Sequence, residues 1–232
     1  MLEFSQFEYL TFDCYGTLIN WEAGILAAVR PILTAHGVAL PDEDLLRCYG
    51  EFESAAQSAG YRRYRMILEE VVHSFGRRFS FSPSAAAAES MPASLPSWPP
   101  FPDTVAALRQ LHSVFKLAII SNVDNDLFAE TAKQLEVPFD AVITAEQAGS
   151  YKPSHRNFEL ALQRIARPKE KVLHVAQSLF HDIAPARELG IKNVWVNRRG
   201  DKPGTGATKA ALAVPDLEVL SLEALAALAV PR

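Results

Sequence analysis

Cysteine is nearly absent. The 232 residues hold two, Cys14 and Cys48, with no CxxC pair and no metal-like spacing. That excludes a disulfide framework and a structural zinc site, and it suits a reducing compartment. No apolar run approaches the roughly 18 residues of a membrane span. The opening MLEFSQFEYL has neither the basic stretch nor the apolar core of a secretory signal, so a cytoplasmic protein is expected. Positive charge is not in excess: Lys and Arg number 23 against 27 Asp and Glu, for a formal net charge of -4. Neither nucleic acid nor an anionic membrane is an expected partner. There is no internal repeat. The length allows one large domain, or one domain with an insertion, with a core that needs no staples.

What the chain does have is rhythm. Tyr9, Leu10 and Phe12 have the character of a buried strand, which ends abruptly at Asp13. Helical spacing follows: Ile25, Leu26, Val29, Ile32 and Leu33, with Pro31 expected to kink or break the run. A second helix carries Leu45, Leu46, Tyr49 and Phe52, capped by Asp42 or Asp44. A third carries Tyr61, Tyr64, Leu68, Val71 and Phe75, and Ala85 to Ser90 form a fourth. No strand signal lies between Ile19 and Ser97, so about 80 helical residues are inserted after the first strand. Met91 to Pro102 contains Pro92, Pro96, Pro99, Pro100 and Pro102 and reads as a stiff return linker, with Trp98 and Phe101 at the junction.

Beyond the linker, strands and helices alternate. Asp103 is expected to cap a helix bearing Val105, Leu108 and Leu111. Strands are predicted at 117–120, 141–143, 172–175 and 194–196, with a helix near 183–188. Gly200 to Thr208 reads as a loop, and 217–228 as one last short element. The pattern predicts an α/β protein with a doubly wound parallel sheet. The core comprises residues 1–18 and 98–232, and the helical insertion spans 19–97.

Four strands lead into polar residues: Asp13, Ser121 with Asn122, Lys152, and Asp182. In a doubly wound sheet these loops converge on one rim, where ligands bind. Two carboxylates, a hydroxyl, an amide and an ammonium would then share one cleft.

FDCYGTL, IISN, GSYKP and HVAQSLFHD, in that order, resemble the four motifs of the haloacid dehalogenase superfamily of hydrolases. The insertion resembles its cap domain, and the resemblance spans nearly the whole chain. It implies a nucleophilic Asp13, stabilising roles for Ser121 and Lys152 and an acidic-loop role for Asp182, with the Thr17 hydroxyl as a further catalytic candidate beside Gly16. Phosphatases of the superfamily carry a second Asp two residues after the nucleophile, and their acidic motif usually begins Gly-Asp. Here those positions are Tyr15 and Gln177, poor replacements for a general acid and a hard-cation ligand. The Asp-x-Tyr-Gly-Thr form instead resembles the L-2-haloacid dehalogenase branch. That implies no cofactor and no metal, and an aspartyl ester formed on Asp13 and opened by water, with Asp182 taking the proton.

The substrate so implied is a small 2-substituted carboxylic acid, held near Tyr15, Asn122, Leu179 and His181; a homodimer is left open. A halide leaving group needs a cation or amide from the cap, for which Arg47 is the candidate. FDCYGTLINWE, SWPPFPDTV, GSYKP, HVAQSLFHD and GTGAT also resemble L-azetidine-2-carboxylate hydrolase, which opens a strained amine ring by the same ester chemistry. For an ammonium leaving group, Glu51 or Glu53 is expected to face the substrate.

Overall fold

Asp13 leaves the sheet at the place where its strand order reverses. The computed structural model describes residues 2–202, 204 and 206–230. Its six parallel strands run in the order β3-β2-β1-β4-β5-β6, with β1 at Tyr9–Phe12, β2 at Lys116–Ser121, β3 at Ala141–Thr144, β4 at Val172–Ala176, β5 at Lys192–Val196 and β6 at Leu217–Val219. β1 is central. It pairs with β2 on one side and β4 on the other, with Thr11 opposite Ala118 and His174 respectively. All four β1 residues are buried, as expected for a strand covered on both faces. Connections from β1 lead to one side and later to the other, so the crevice beyond its carboxyl end is the switch point where ligands sit in such sheets. Among the described residues no helix is long and apolar enough to cross a membrane.

Four helices follow β1: α1 at Trp21–Ala35, α2 at Asp42–Ser58, α3 at Tyr64–Phe79 and α4 at Ala85–Ser94. Asn20 caps α1 by accepting the Ala23 N–H. Pro31 lies inside α1 without ending it, so of the two expected outcomes the break does not occur. Pro41, not Asp42 or Asp44, occupies the position before α2, and the two carboxylates sit in its first turn, where they offset the helix dipole. The chain enters and leaves this helical region side by side, with an antiparallel bridge between Ile19 and Pro100 and an Asn20 N–H to Pro99 O bond of 2.8 Å.

Trp98 is buried where these segments meet. Its Nε1 donates to Ser94 Oγ at 3.0 Å, and Tyr15 meets its ring edge-on at a centroid distance of 6.0 Å. Gly24 of α1 lies against the indole so closely that a Cβ there would be 2.3 Å from two ring atoms. One tryptophan thus joins the return linker, the first inserted helix and the loop carrying Asp13.

In the second half, α5 spans Thr104–His112, α6 Asn125–Ala132, α7 Ala145–Ala148, α8 His155–Ile165, α9 Ala184–Glu188 and α10 Leu222–Ala229. Two expectations change. Residues 217–228 make two elements, β6 and most of α10. Asp103 does not cap its own helix; its carboxylate accepts the Leu222 N–H at 2.7 Å and the Glu223 N–H at 3.3 Å, capping α10 across the chain, and pairs with Arg198. The expected loop from Gly200 to Thr208 includes Pro203 and Thr205, which lie outside the described residues.

The Gly24 contact predicts that Gly24→Ala destabilises the fold by about 1–3 kcal/mol, the usual cost of overpacking, despite alanine's better helix propensity. Denaturant unfolding measures this. An unchanged or raised midpoint at constant slope would show that Trp98 yields freely.

Candidate active site

Asp13 follows the last residue of β1, and Gly16, three residues on, has φ +94°. That left-handed turn suits glycine and folds the loop back so that Thr17 Oγ1 donates to Asp13 Oδ2 at 2.7 Å. Thr17 Oγ1 in turn accepts the Gln177 N–H at 2.9 Å, tying the ends of β1 and β4 together. Arg198 donates from Nε and Nη2 to the Thr17 carbonyl at 3.1 and 2.8 Å, and so fixes this loop from the far side.

Lys152 is 1 % exposed and its ammonium has three acceptors: Asp13 Oδ1 at 2.8 Å, Asp182 Oδ1 at 2.6 Å and Ile120 O at 2.8 Å. Three N–H groups meet three oxygens, so the buried cation is satisfied. Burial works against that charge, but Asp13 and Asp182 outweigh it and hold the ammonium's pKa above its ordinary value. Two buried carboxylates share one cation, and they separate. Burial pushes Asp13 up against the pull of Lys152, with Asp182 adding to the rise. Burial opposes ionisation of Asp182 too, yet Lys152 and the His174 contact hold it below the usual carboxylate range.

The cavity above these groups measures about 40 Å³ and is lined by Asp13, Tyr15, Trp21, Glu53, Gln57, Tyr64, Ser121, Asn122, Lys152, Gln177, Ser178, His181, Asp182 and Thr208. It is far smaller than the roughly 300–1,000 Å³ of sites for drug-sized ligands. Ser121 Oγ and Asp182 Oδ2 are buried there without a hydrogen-bond partner among the described residues. Buried polar atoms are rarely left so unless water or a ligand completes them.

Of the residues singled out in the sequence, Asp13, Thr17, Ser121, Lys152 and Asp182 come together, and Tyr15, Asn122 and His181 line the same cavity. Several are already engaged. Tyr15 OH lies 2.8 Å from Thr131 Oγ1, and burial pushes its pKa well up. Asn122 Oδ1 accepts the Lys152 N–H at 2.7 Å and its Nδ2 donates to Lys152 O at 3.2 Å. Its amide thereby positions Lys152 while Asn122 also lines the cavity. His181 is pushed down to about 4, mainly by burial, and is neutral near pH 7.

Three expected substrate contacts do not face this cavity. Arg47 and Glu51 lie exposed on the outer side of α2, paired at 3.1 Å, with Asp44 also on Arg47. Leu179 lines a separate cavity with Trp195 and Ala211. It opens the π-helical turn Leu179–Ile183 that delivers Asp182, and that turn aims it away. The leaving-group alternative that does line the cavity is Glu53. It is buried and accepts Tyr64 OH at 2.6 Å and Tyr49 OH at 3.5 Å. Burial raises it to about 7, against the pull of the two hydroxyls. The residues missed were Trp21, Gln57, Tyr64, Ser178 and Thr208 in the lining, and His174 beneath Asp182. The apolar stripe of α2 carried one usable signal, since Glu53 is four residues from Tyr49.

Among the described residues no three His, Cys, Asp or Glu side chains gather as ligands for a metal ion. Gln177, at the position the phosphatases give to a carboxylate, has its Oε1 accepting from Thr208 Oγ1 at 3.2 Å. The donor set does not suit a hard divalent cation.

A family model described as haloacid dehalogenase-like hydrolase matches residues 7–190. The (S)-2-haloacid dehalogenase H-109 of Pseudomonas putida is 26% identical over 196 residues, covering 83% of this chain and 87% of that protein. A further (S)-2-haloacid dehalogenase of Pseudomonas putida is 32% identical over 103 residues, 43% of this chain and 45% of that protein. The structure of L-2-haloacid dehalogenase from Xanthobacter autotrophicus with chloropropionic acid covalently bound matches with a TM-score of 0.79 at 19% identity, over 96% of this chain and 98% of that one. At that identity the likeness concerns the fold.

Glu53 yields a stability prediction. Its native pKa of about 7 lies above the ordinary 4.5. As pH rises between those values the unfolded chain loses a proton that the native state keeps, so the wild type loses stability over that window. The loss is about 3 kcal/mol at full extent. Glu53→Gln does not titrate, so its stability relative to wild type should rise by about that amount from acid pH to about pH 8. A difference that stays flat across the window in denaturant titrations would contradict the buried carboxyl.

Proposed function

The chain belongs to the haloacid dehalogenase-like hydrolases, and on that premise we propose that it displaces the leaving group on carbon 2 of a small carboxylic acid through an ester on Asp13. The observation that carries this reading is the Lys152 ammonium bonded to both Asp13 and Asp182. Asp13 attacks carbon 2 in line, the C–O ester bond forms and the bond to the leaving group breaks with its electron pair. Water then adds to the ester carbonyl and gives a proton to Asp182. The ester opens to a 2-hydroxy acid, and Asp13 is restored. Ser121 Oγ, buried without a partner among the described residues, suits the substrate carboxylate. That the Xanthobacter autotrophicus relative holds chloropropionic acid covalently supports a covalent route on this fold. Tyr15 and Gln177 support a reaction without metal.

Residues 19–97, in this reading, are a cap that closes over the small acid and excludes water. The paired entry and exit at Ile19 and Pro100 favour it. So does Asp124, which receives the Tyr64 and Arg65 N–H groups at 2.7 and 3.0 Å and thereby seats the start of α3 on the sheet domain.

The leaving group has two readings. The (S)-2-haloacid dehalogenase relatives favour halide. The cavity favours an amine: Lys152 is the only Lys or Arg among its described lining residues, and Glu53 lies there instead. An ionised Glu53 would pair with a ring nitrogen leaving as ammonium, as in opening L-azetidine-2-carboxylate.

Paired turnover assays with L-2-chloropropionate and L-azetidine-2-carboxylate, each with and without EDTA, decide between them. Chloride release that survives Glu53→Gln supports the halide reading. Ring opening that Glu53→Gln reduces by about a hundredfold, as for loss of a charge-assisted contact, supports the amine. Both reactions should be indifferent to EDTA and absent in Asp13→Asn. Turnover of neither acid by folded enzyme would overturn the proposal.

A further inference from the structure

His174 has no part in the chemistry above, yet both of its ring nitrogens are engaged inside the sheet. It lies fully buried in β4, where a strand covered on both faces calls for an aliphatic residue. Nδ1 is 2.9 Å from Thr11 Oγ1, on the residue directly opposite in β1. Nε2 is 3.0 Å from Asp182 Oδ1. Phe158 meets the ring edge-on at 5.2 Å and leaves it little freedom to turn. Asp182 Oδ1 therefore receives both Lys152 and His174, while Oδ2, equally buried, has no partner among the described residues.

We infer that His174, set by Thr11, is a positioning residue for the second step: it fixes Asp182 through Oδ1 and reserves Oδ2 for the proton of the water that opens the ester. The assignment rests on the two-step reaction proposed above. In that step water oxygen bonds to the ester carbonyl carbon of Asp13 and one of its protons passes to Asp182 Oδ2. The tetrahedral centre then expels the 2-hydroxy acid oxygen, which takes that proton from Asp182, and the second proton goes to solvent. The donor arrangement follows from the acceptor. Asp182 is held below the usual carboxylate range and so accepts, which requires a proton on Nε2; in a neutral ring Nδ1 is then the acceptor for the Thr11 hydroxyl. A histidine serving only as packing would need neither bond.

The charged and titratable groups around this pair are few. Asp13 approaches from β1, Lys152 from the loop before α8, and His181 from the turn that carries Asp182, with Lys209 acting on His181 from farther out.

Single-turnover experiments with whichever of the two acids the wild type cleaves separate the steps. In His174→Leu, leaving-group release should stay near wild type. Ester hydrolysis should slow by about tenfold to a hundredfold, the loss expected when a charged group gives up a hydrogen bond. The Asp13 adduct should then accumulate in the mass spectrum, and the acid limb of hydrolysis should move up by about one pH unit. His174→Gln, which retains an N–H donor, should recover part of the loss. Thr11→Val, nearly isosteric in a buried strand, should move the same limb less. Equal slowing of both steps, or an unmoved acid limb in His174→Leu and Thr11→Val, would overturn the assignment. NMR of the resting protein gives a reading independent of substrate. The ring-nitrogen spectrum should place a proton on Nε2 of His174, and the Asp182 carboxyl carbon should titrate higher in Thr11→Val than in wild type. A bare Nε2, or an unchanged Asp182 titration, would overturn the inference even if neither acid is turned over. Failure of the wild type to form an adduct would instead count against the reaction.

Discussion

The Lys152 ammonium is the constraint from which the site is built. A buried lysine is costly unless each N–H finds an acceptor and its charge is matched. Here the acceptors are two carboxylates and a main-chain carbonyl, which forces the ends of β1 and β2 and the turn after β4 to one point. The surrounding polar structure serves that point. Asn122 grips both the N–H and the carbonyl of Lys152, and Ser150 and Asn157 bond reciprocally to brace the loop before α8. With one positive charge for two negative ones, the two carboxylates take opposite shifts. Asp182 is the more readily ionised and Asp13 the less.

A second set of charges joins the inserted helices to the sheet domain. Arg199 reaches Glu22 at the start of α1 and Glu43 at the start of α2. Asp124 caps α3, and Tyr151 OH donates to the Arg62 carbonyl at 2.7 Å. Helix N-termini, where unpaired N–H groups and the dipole favour negative charge, therefore make several of these contacts. These polar contacts act alongside the apolar junction around Trp98, where the buried core runs on from the sheet into the inserted helices.

Much of this is legible in the amino-acid sequence, because strand ends in a doubly wound sheet share an edge. Asp13, Ser121, Lys152 and Asp182 were legible from their place after apolar runs. What the sequence concealed was the rotation of each helix and the far partner of each cap. Glu51 and Glu53 differ by two positions, about 200° around a helix, so only one can face the cavity. Glu53 continues the buried stripe through Leu45 and Tyr49, while Glu51 joins Arg47 in solvent. His174 gave no signal, since a polar residue within a short apolar run has no period to betray its partner. Asp103 looked like a cap for the helix that follows it, and it caps α10 over a hundred residues away. β6, three residues long, was too short to separate from the helix after it.

The central claim is that Asp13 is a covalent participant and that water attacks its carbonyl carbon, not the substrate. A single turnover in H₂¹⁸O with enzyme in excess tests it most directly. The account predicts that the heavy oxygen appears in the carboxylate of Asp13, found by mass spectrometry of the peptide containing it, while the first hydroxy acid released carries ordinary oxygen. Heavy oxygen in that first product, with none on Asp13, would mean that water attacks carbon 2 itself and would contradict the account.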